Sequence, residues 1–187
     1  SNWLIENEPE NWAKVDKYIN ISTYFIYRLT GELKDSASDF AGHYPIDFKK
    51  RQWYKNPMKH LKGQIFSIEK RMLAEIVPEG SPIGKITEKA HEETGLPVGL
   101  TLYACGSDKS CETLGLGVLE DTMAAISYGT ASTVETTRKR YTESETFLPG
   151  YPSCIPNYYN MDVQIYRGYW MINWFLKEFG GKQVDDI

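Results

Sequence analysis

Helical spacing of apolar residues predicts a helix in two stretches of the chain, and start and stop residues predict a helix in a further one. The first runs from about Val15 to Gly31, and glycine there suits the left-handed backbone that ends many helices. Ser22 is an alternative N-cap, which would make the helix shorter. The second begins after the capping residue Thr87 and ends at Gly95. The third places apolar residues on one face, at Ile165, Tyr169, Ile172, Leu176 and Phe179, before Gly180-Gly181. Its Trp170 and Trp174 are then expected in the core rather than stacked on a sugar.

Short runs of strand-forming residues alternate with these helices. Residues 100–105 form an apolar run that predicts a buried strand, and residues 109–116 predict a helix rich in small side chains. Residues 123–128 and 132–137 flank Gly129-Thr130 and predict a hairpin. Residues 45–48 predict a brief extended piece, Asp35 is placed to cap a short turn, and residues 51–82 predict short helices joined by loops. The alternation predicts an α/β fold.

Composition narrows the class of protein. The chain has 187 residues, of which 41% are hydrophobic and 25% charged, as in globular proteins. Its net charge of −4 does not favour binding to nucleic acid or to an anionic membrane surface. No run approaches the roughly 18 apolar residues of a membrane-spanning helix. We therefore expect neither a nucleic-acid partner nor a membrane partner.

The number and spacing of the cysteines and histidines indicate a protein of a reducing compartment that has no metal centre. The three cysteines, Cys105, Cys111 and Cys154, are odd in number and scattered, which does not match a disulfide framework. The three histidines, His43, His60 and His91, are widely separated, and no Cys-x-x-Cys pair accompanies them. We expect a cytoplasmic protein and no metal ligands among its side chains.

One candidate for chemistry lies between the predicted strand at 100–105 and the helix that follows it. Gly106 there allows close approach to the backbone, and ligands often bind at such strand ends. Asp108 falls at the helix N-terminus, where the dipole favours an ionised carboxylate that could accept a proton from a hydroxyl. The alternative is that Asp108 only caps the helix.

The hairpin turn is the second candidate. A tight turn at Gly129-Thr130 can present backbone N–H groups and a hydroxyl to a phosphate. An ordinary hairpin turn without a ligand is the alternative.

In their order along the chain, these segments resemble the FGGY carbohydrate kinases, which include xylulokinase, ribulokinase and glycerol kinase. The matching segments are Y-R-L-T-G-E from Tyr27, T-G-L-P from Thr94, G-S-D ending at Asp108, and Y-G-T-A-S from Tyr128. Each motif is short, but the ordered set is specific and covers residues 15–179.

The resemblance implies an actin-like ATPase fold, built from ribonuclease-H-like domains, and transfer of the ATP γ-phosphate to a sugar or polyol. By similarity, Asp108 would be the general base, Gly129 and Thr130 would contact the ATP phosphates with Ser132 nearby, and Mg²⁺ would neutralise charge. A pentulose such as xylulose is the favoured substrate. Lys109 differs from the residue that usually follows the general base in this family. Its side chain either contacts the substrate or points to solvent.

Two departures from the family pattern concern the extent of the chain. The family's opening phosphate loop and its long C-terminal half have no counterpart here, and members are well over twice this length. We therefore expect an incomplete fold that spans the junction of two domains and is inactive alone. Residues 1–119 would end the N-terminal domain, and residues 120–187 would begin the C-terminal one. A non-catalytic sugar-binding or regulatory module is the alternative function, and a homodimer is left open.

Overall fold

A computed structural model describes residues 1–40, 42, 44–143 and 148–180. His43 and Gly181, which entered the sequence analysis, lie outside these residues. The α-helices are α1 Asn2–Asn7, α2 Pro9–Trp12, α3 Ile21–Thr30, α4 Leu61–Phe66, α5 Glu88–Thr94, α6 Asp108–Gly115 and α7 Trp170–Phe175. Short 3₁₀ turns span Pro57–Lys59 and Lys70–Met72, and a π-helical turn spans Leu176–Gly180.

The strands form one four-stranded sheet and three pairs. They are β1 Lys34–Ser36, β2 Ile46–Asp47, β3 Gln52–Trp53, β4 Glu75–Val77, β5 Pro82–Lys85, β6 Thr101–Tyr103, β7 Ala125–Tyr128, β8 Ser132–Arg138, β9 Tyr151–Pro152 and β10 Tyr159–Ile165. The larger sheet has the order β7-β8-β10-β9 and is antiparallel throughout. Strands β1 and β4 pair in parallel, while β2 with β3 and β5 with β6 are antiparallel.

The locally signalled elements are confirmed. Helix α3 ends at Gly31, whose φ of 80° gives the expected left-handed end, although the helix begins at Ile21, later than the first apolar position. Helix α5 has the predicted limits, and its cap Thr87 accepts a hydrogen bond from the backbone N of Ala90 at 3.2 Å. The hairpin of β7 and β8 turns at Gly129-Thr130 as predicted.

The prediction for the C-terminal helix was wrong in extent and in burial. Ile165 ends β10 and pairs with Ser132 of β8, so the helix begins only at Trp170. Ile165 fits the helical spacing of the residues that follow, but its backbone pairs with β8 and therefore belongs to the strand. Trp170 and Trp174 are about half exposed, rather than buried in the core.

Three further expectations are corrected. The strand predicted at 100–105 is shorter, and its Tyr103 is exposed because β6 pairs only with β5 in the described residues. Asp35 lies within β1 and caps no turn, since the parallel pairing with β4 recruits it. The polar opening of the chain, for which no element was predicted, forms α1 and α2.

The hydrophobic core lies around the segment that follows β1. Phe40 packs edge-on against Tyr44 and Trp53, with ring centroids 5.0 and 4.6 Å apart. The other core residues are Ala37, Ile46, Phe48, Ile68, Leu73 and Ala74. This core fixes the segment 35–40, which also contacts the loop before α6.

Within the described residues, no helix combines the length and the apolar character that crossing a bilayer requires.

Candidate functional site

The loop between β6 and α6 is fastened to the segment after β1. The Ser36 hydroxyl donates to the Cys105 carbonyl at 2.6 Å, and the backbone N of Ser107 donates to the Ser38 carbonyl at 3.2 Å. The two bonds fall either side of Gly106 and join residues about 70 positions apart. They hold the loop in one place against the core.

Gly106 allows this close approach. A Cβ atom there would lie 2.2 Å from the Ser38 Oγ and 3.0 Å from the Cys154 Cβ, which no real side chain tolerates without a shift. The sequence prediction that Gly106 admits another group to the backbone therefore agrees with the packing, and the group is Ser38 of the protein itself.

Asp108 is the first residue of α6 and is exposed. The helix cap is Ser107, whose side chain accepts a hydrogen bond from the backbone N of Ser110 at 3.3 Å. Asp108 accepts through Oδ1 from the backbone N of Lys109 at 2.7 Å. Ser107 is therefore the cap, and Asp108 satisfies a second backbone amide of the first turn.

Lys109 forms an ion pair with Glu112 on the next turn of α6, at 2.6 Å, with both side chains about 40% exposed. Glu135 of β8 lies behind it, opposite Asp162 of β10. Burial raises the pKa of the Glu135 carboxyl and likewise that of Asp162, and the charge of Lys109 opposes both shifts. Lys109 thus faces acidic groups of the protein itself.

The backbone of the hairpin turn is already engaged on both sides of Gly129. Its N–H donates to the Ala131 carbonyl at 2.8 Å, and its carbonyl accepts from the backbone N of Tyr169 at 2.8 Å. Gly129 and Thr130 are exposed. The turn therefore offers the Thr130 hydroxyl to solvent, while the Gly129 amide is used internally.

Gly168 supports this turn and was missed by the sequence analysis. A Cβ atom at Gly168 would lie 1.9 Å from the Gly129 carbonyl oxygen and 2.5 Å from that of Thr130. The Ser132 hydroxyl donates to the neighbouring Arg167 carbonyl at 3.1 Å. The only sequence signal for this contact is a glycine after the β10 segment.

Helix α6 and the hairpin are packed together through side chains other than the candidate residues. The Thr113 hydroxyl of α6 donates to the Glu135 carboxylate of β8, and both side chains are buried. Within the described residues, no hydrogen bond or ion pair joins Asp108 to Gly129, Thr130 or Ser132. The two candidates thus lie on neighbouring elements as separate groups.

The three cysteines converge beside the Asp108 loop, contrary to the expectation from their spacing. The Sγ atoms of Cys105, Cys111 and Cys154 all lie within 4.8 Å of one another. In the part of the chain that the structure describes, they are the only group of three or more Cys, His, Asp or Glu residues placed to share a metal ion. Cys154 arrives from the loop after β9, which spacing cannot reveal.

Comparison with known proteins identifies relatives of this chain. Residues 2–115 match the sequence profile of the N-terminal domain of the FGGY family of carbohydrate kinases. An uncharacterized sugar kinase of Escherichia coli, YgcE, is 31% identical over 89% of this chain, and a xylulose kinase of Lactococcus lactis is 28% identical over 95%. The chain spans about a third of the length of each relative, 34% in both cases.

The fold is also found in solved structures. The crystal structure of a xylulose kinase from Rhodospirillum rubrum superposes with a TM-score of 0.83 at 18% identity. The match covers 98% of this chain and 37% of that one. The predicted fold class, an incomplete actin-like kinase fold, is thereby confirmed.

Proposed function

Because the chain belongs to the FGGY family of carbohydrate kinases, we propose that the protein of which it forms part transfers the γ-phosphate of ATP to a hydroxyl of a sugar or polyol. Phosphoryl transfer depends mainly on positioning and on charge stabilisation, with a base to take the hydroxyl proton. The proposal assigns the base to this chain.

The observation that carries the proposal is the state of Asp108. Its carboxylate is exposed at the first position of α6, and Ser107 rather than Asp108 caps the helix. A carboxylate is the group that accepts a hydroxyl proton in general base catalysis. The anchors from Ser36 and Ser38 hold its loop in place.

Phosphate contacts are proposed for Gly129, Thr130 and Ser132. Thr130 is the best placed, since it is exposed in the turn, whereas Ser132 already donates to the Arg167 carbonyl. Mg²⁺ supplies charge neutralisation in such reactions. Within the described residues, the one cluster of three potential ligands consists of thiols, which Mg²⁺ does not favour. We assign no Mg²⁺ ligand to this chain.

The acceptor substrate is proposed to be a pentulose such as xylulose. A relative and a structural neighbour are named as xylulose kinases, and this supports the choice. Lys109 is adjacent to the proposed base but is paired with Glu112. If Lys109 contacts the sugar, Lys109→Ala raises the KM for the sugar and leaves the KM for ATP unchanged.

The experiment is to measure ADP release by the full-length protein with Mg-ATP and a panel of pentuloses, polyols and aldoses. We expect sugar-dependent turnover whose kcat falls by about 10²- to 10⁴-fold in Asp108→Asn. Asp121→Asn is the matched control, since Asp121 is also exposed but lies in the turn before β7. Turnover that is indifferent to Asp108→Asn would refute its role as base.

A second function, a non-catalytic sugar-binding or regulatory module, is favoured by one observation. The Gly129 amide donates within its own turn and is not presented to a ligand. Sugar binding that survives Asp108→Asn, with no ADP formed from any sugar, would select this function over the kinase.

We further propose that a domain boundary lies near residue 119, after α6, and that the chain alone is inactive. The match of residues 2–115 to an N-terminal domain profile supports this position. A cytoplasmic location and a homodimer stay predictions, which cell fractionation and light scattering of the full-length protein would test.

A further inference from the structure

The three thiols described above come from three separate segments that pack together. Cys105 lies in the loop after β6, Cys111 in α6, and Cys154 in the loop after β9. Cys105 is exposed, Cys111 is half-buried and Cys154 is buried. The group therefore has one face open to solvent and one face fixed in the protein.

We propose that Cys105, Cys111 and Cys154 form a binding site for a thiophilic metal ion such as Zn²⁺. This site is independent of the proposed kinase reaction. Three sulfur donors favour Zn²⁺ or Cu(I) and disfavour Mg²⁺ and Ca²⁺, which prefer oxygen. Binding of Zn²⁺ would release the three thiol protons to solvent, form three Zn–S bonds and leave one position for water, with no change of oxidation state.

The geometry is close to that of a bound ion. With Zn–S bonds of about 2.3 Å, tetrahedral geometry places sulfur atoms about 3.8 Å apart. The Sγ atoms of Cys105 and Cys111 are 3.4 Å apart, and all three lie within 4.8 Å of one another. Adjustments of a few tenths of an ångström to about one ångström bring all three into the first coordination sphere.

The backbone around the thiols is held in place before any ion binds. The backbone N of Cys154 donates to the Ser110 hydroxyl at 2.7 Å, and its Sγ contacts the Ser110 carbonyl at 3.4 Å. The Cys111 Sγ contacts the Gly106 carbonyl at 3.4 Å. A bound ion would join both ends of the Gly106–Ser110 segment, which includes Asp108.

The test is an anaerobic Co²⁺ titration of the reduced, metal-free full-length protein, followed by Zn²⁺. We expect intense sulfur-to-cobalt charge-transfer absorption at one equivalent, which Zn²⁺ then abolishes. Cys105→Ser and Cys111→Ser should each weaken Co²⁺ binding by at least about tenfold. Because Cys105 is exposed, its variant is the one expected to retain the wild-type circular dichroism spectrum.

His91→Gln is the control. Histidine, like cysteine, commonly binds these metal ions, but His91 lies on α5 and is not part of the cysteine group. Its Co²⁺ spectrum should match that of the wild type. The proposal is overturned if the reduced, folded wild-type protein shows no charge-transfer band, or if the band persists at full strength in both cysteine variants. A Cys105–Cys111 disulfide in oxidised protein, without Co²⁺ binding after reduction, would identify a redox pair instead.

Discussion

The buried carboxyl of Asp35 should make the stability of the region around β1 depend on pH. Asp35 is only 3% exposed and accepts hydrogen bonds from the Thr23 hydroxyl and from the backbone N of Ser36, both at 2.8 Å. Burial, and then the nearby Asp39 carboxylate, raise the pKa of Asp35 from its ordinary value of 3.8 to about 7. The folded protein thus keeps a proton that the unfolded chain releases.

The sign and size of the effect follow from proton linkage. Between pH 3.8 and about 7 the folded state binds more protons than the unfolded state, so stability falls as pH rises. A difference of about three pKa units corresponds to a loss of about 4 kcal/mol over that window. The stabilising contribution of protonated Asp35 is complete below pH 3.8 and is lost above about pH 7.

Asp35→Asn removes this dependence. The amide oxygen can still accept from Ser36, while the amide nitrogen, in the place of Oδ2, can donate to Asp39 and to a Thr23 hydroxyl that turns to accept. The variant therefore carries no charge at this position at any of these pH values. Local stability is measured by hydrogen exchange of the β1–β4 pair, comparing variant with wild type at the same pH. At about pH 8.5 the variant should exchange more slowly, and at about pH 4 the two should converge.

Asp121→Asn, in an exposed turn, serves as the control and should show no pH-dependent difference from wild type. Equal exchange of the β1–β4 pair in wild type and Asp35→Asn at both pH values would refute the reasoning.

Three other substitutions test the packing of the site. Gly106→Ala introduces a methyl group 2.2 Å from a serine hydroxyl and should cost about 1–3 kcal/mol in thermal unfolding, whereas Gly115→Ala, with open space around it, should not. Gly168→Ala clashes with the Gly129 carbonyl and should raise the KM for ATP more than the KM for the sugar in ADP-release assays. Thr87→Ala loses the cap of α5 and should speed hydrogen exchange there by the equivalent of about 1 kcal/mol.

The helices and strands that were predicted correctly are marked by sequence signals only a few residues long. Thr87, Glu88 and Gly95 are start and stop residues, and α5 has the limits they indicate. Gly129-Thr130 between two alternating runs likewise predicted the β7–β8 hairpin. Asp108 and Gly106 were singled out as candidates in the same way, from a strand-glycine-acid-helix order, and the role of Asp108 stays a prediction.

The elements that failed depend on contacts between distant residues. Strand β10 is the exception, because its seven residues alternate between apolar and polar and so carried a local signal. It was missed because its last residue, Ile165, also fits the helical spacing of the segment that follows. Its partner β8 turns polar Thr133, Glu135 and Thr137 inward. Strands β1 and β4 have three residues each and are defined only by pairing with each other. The cysteine group and Gly168 were missed for the same reason, since each joins segments more than 35 residues apart.

The position of Asp108 therefore depends on the segment of residues 35–40, which is distant from it in sequence. Residues 35–40 supply the Ser36 hydroxyl and the Ser38 carbonyl that hold the loop before α6, and the same segment contains the titrating Asp35. Because Asp35 accepts a hydrogen bond from the backbone N of Ser36, we expect loss of its proton to act on these anchors. A kcat that changes in Asp35→Asn while the KM values for sugar and ATP stay constant would accordingly indicate positioning of the base through Ser36 and Ser38.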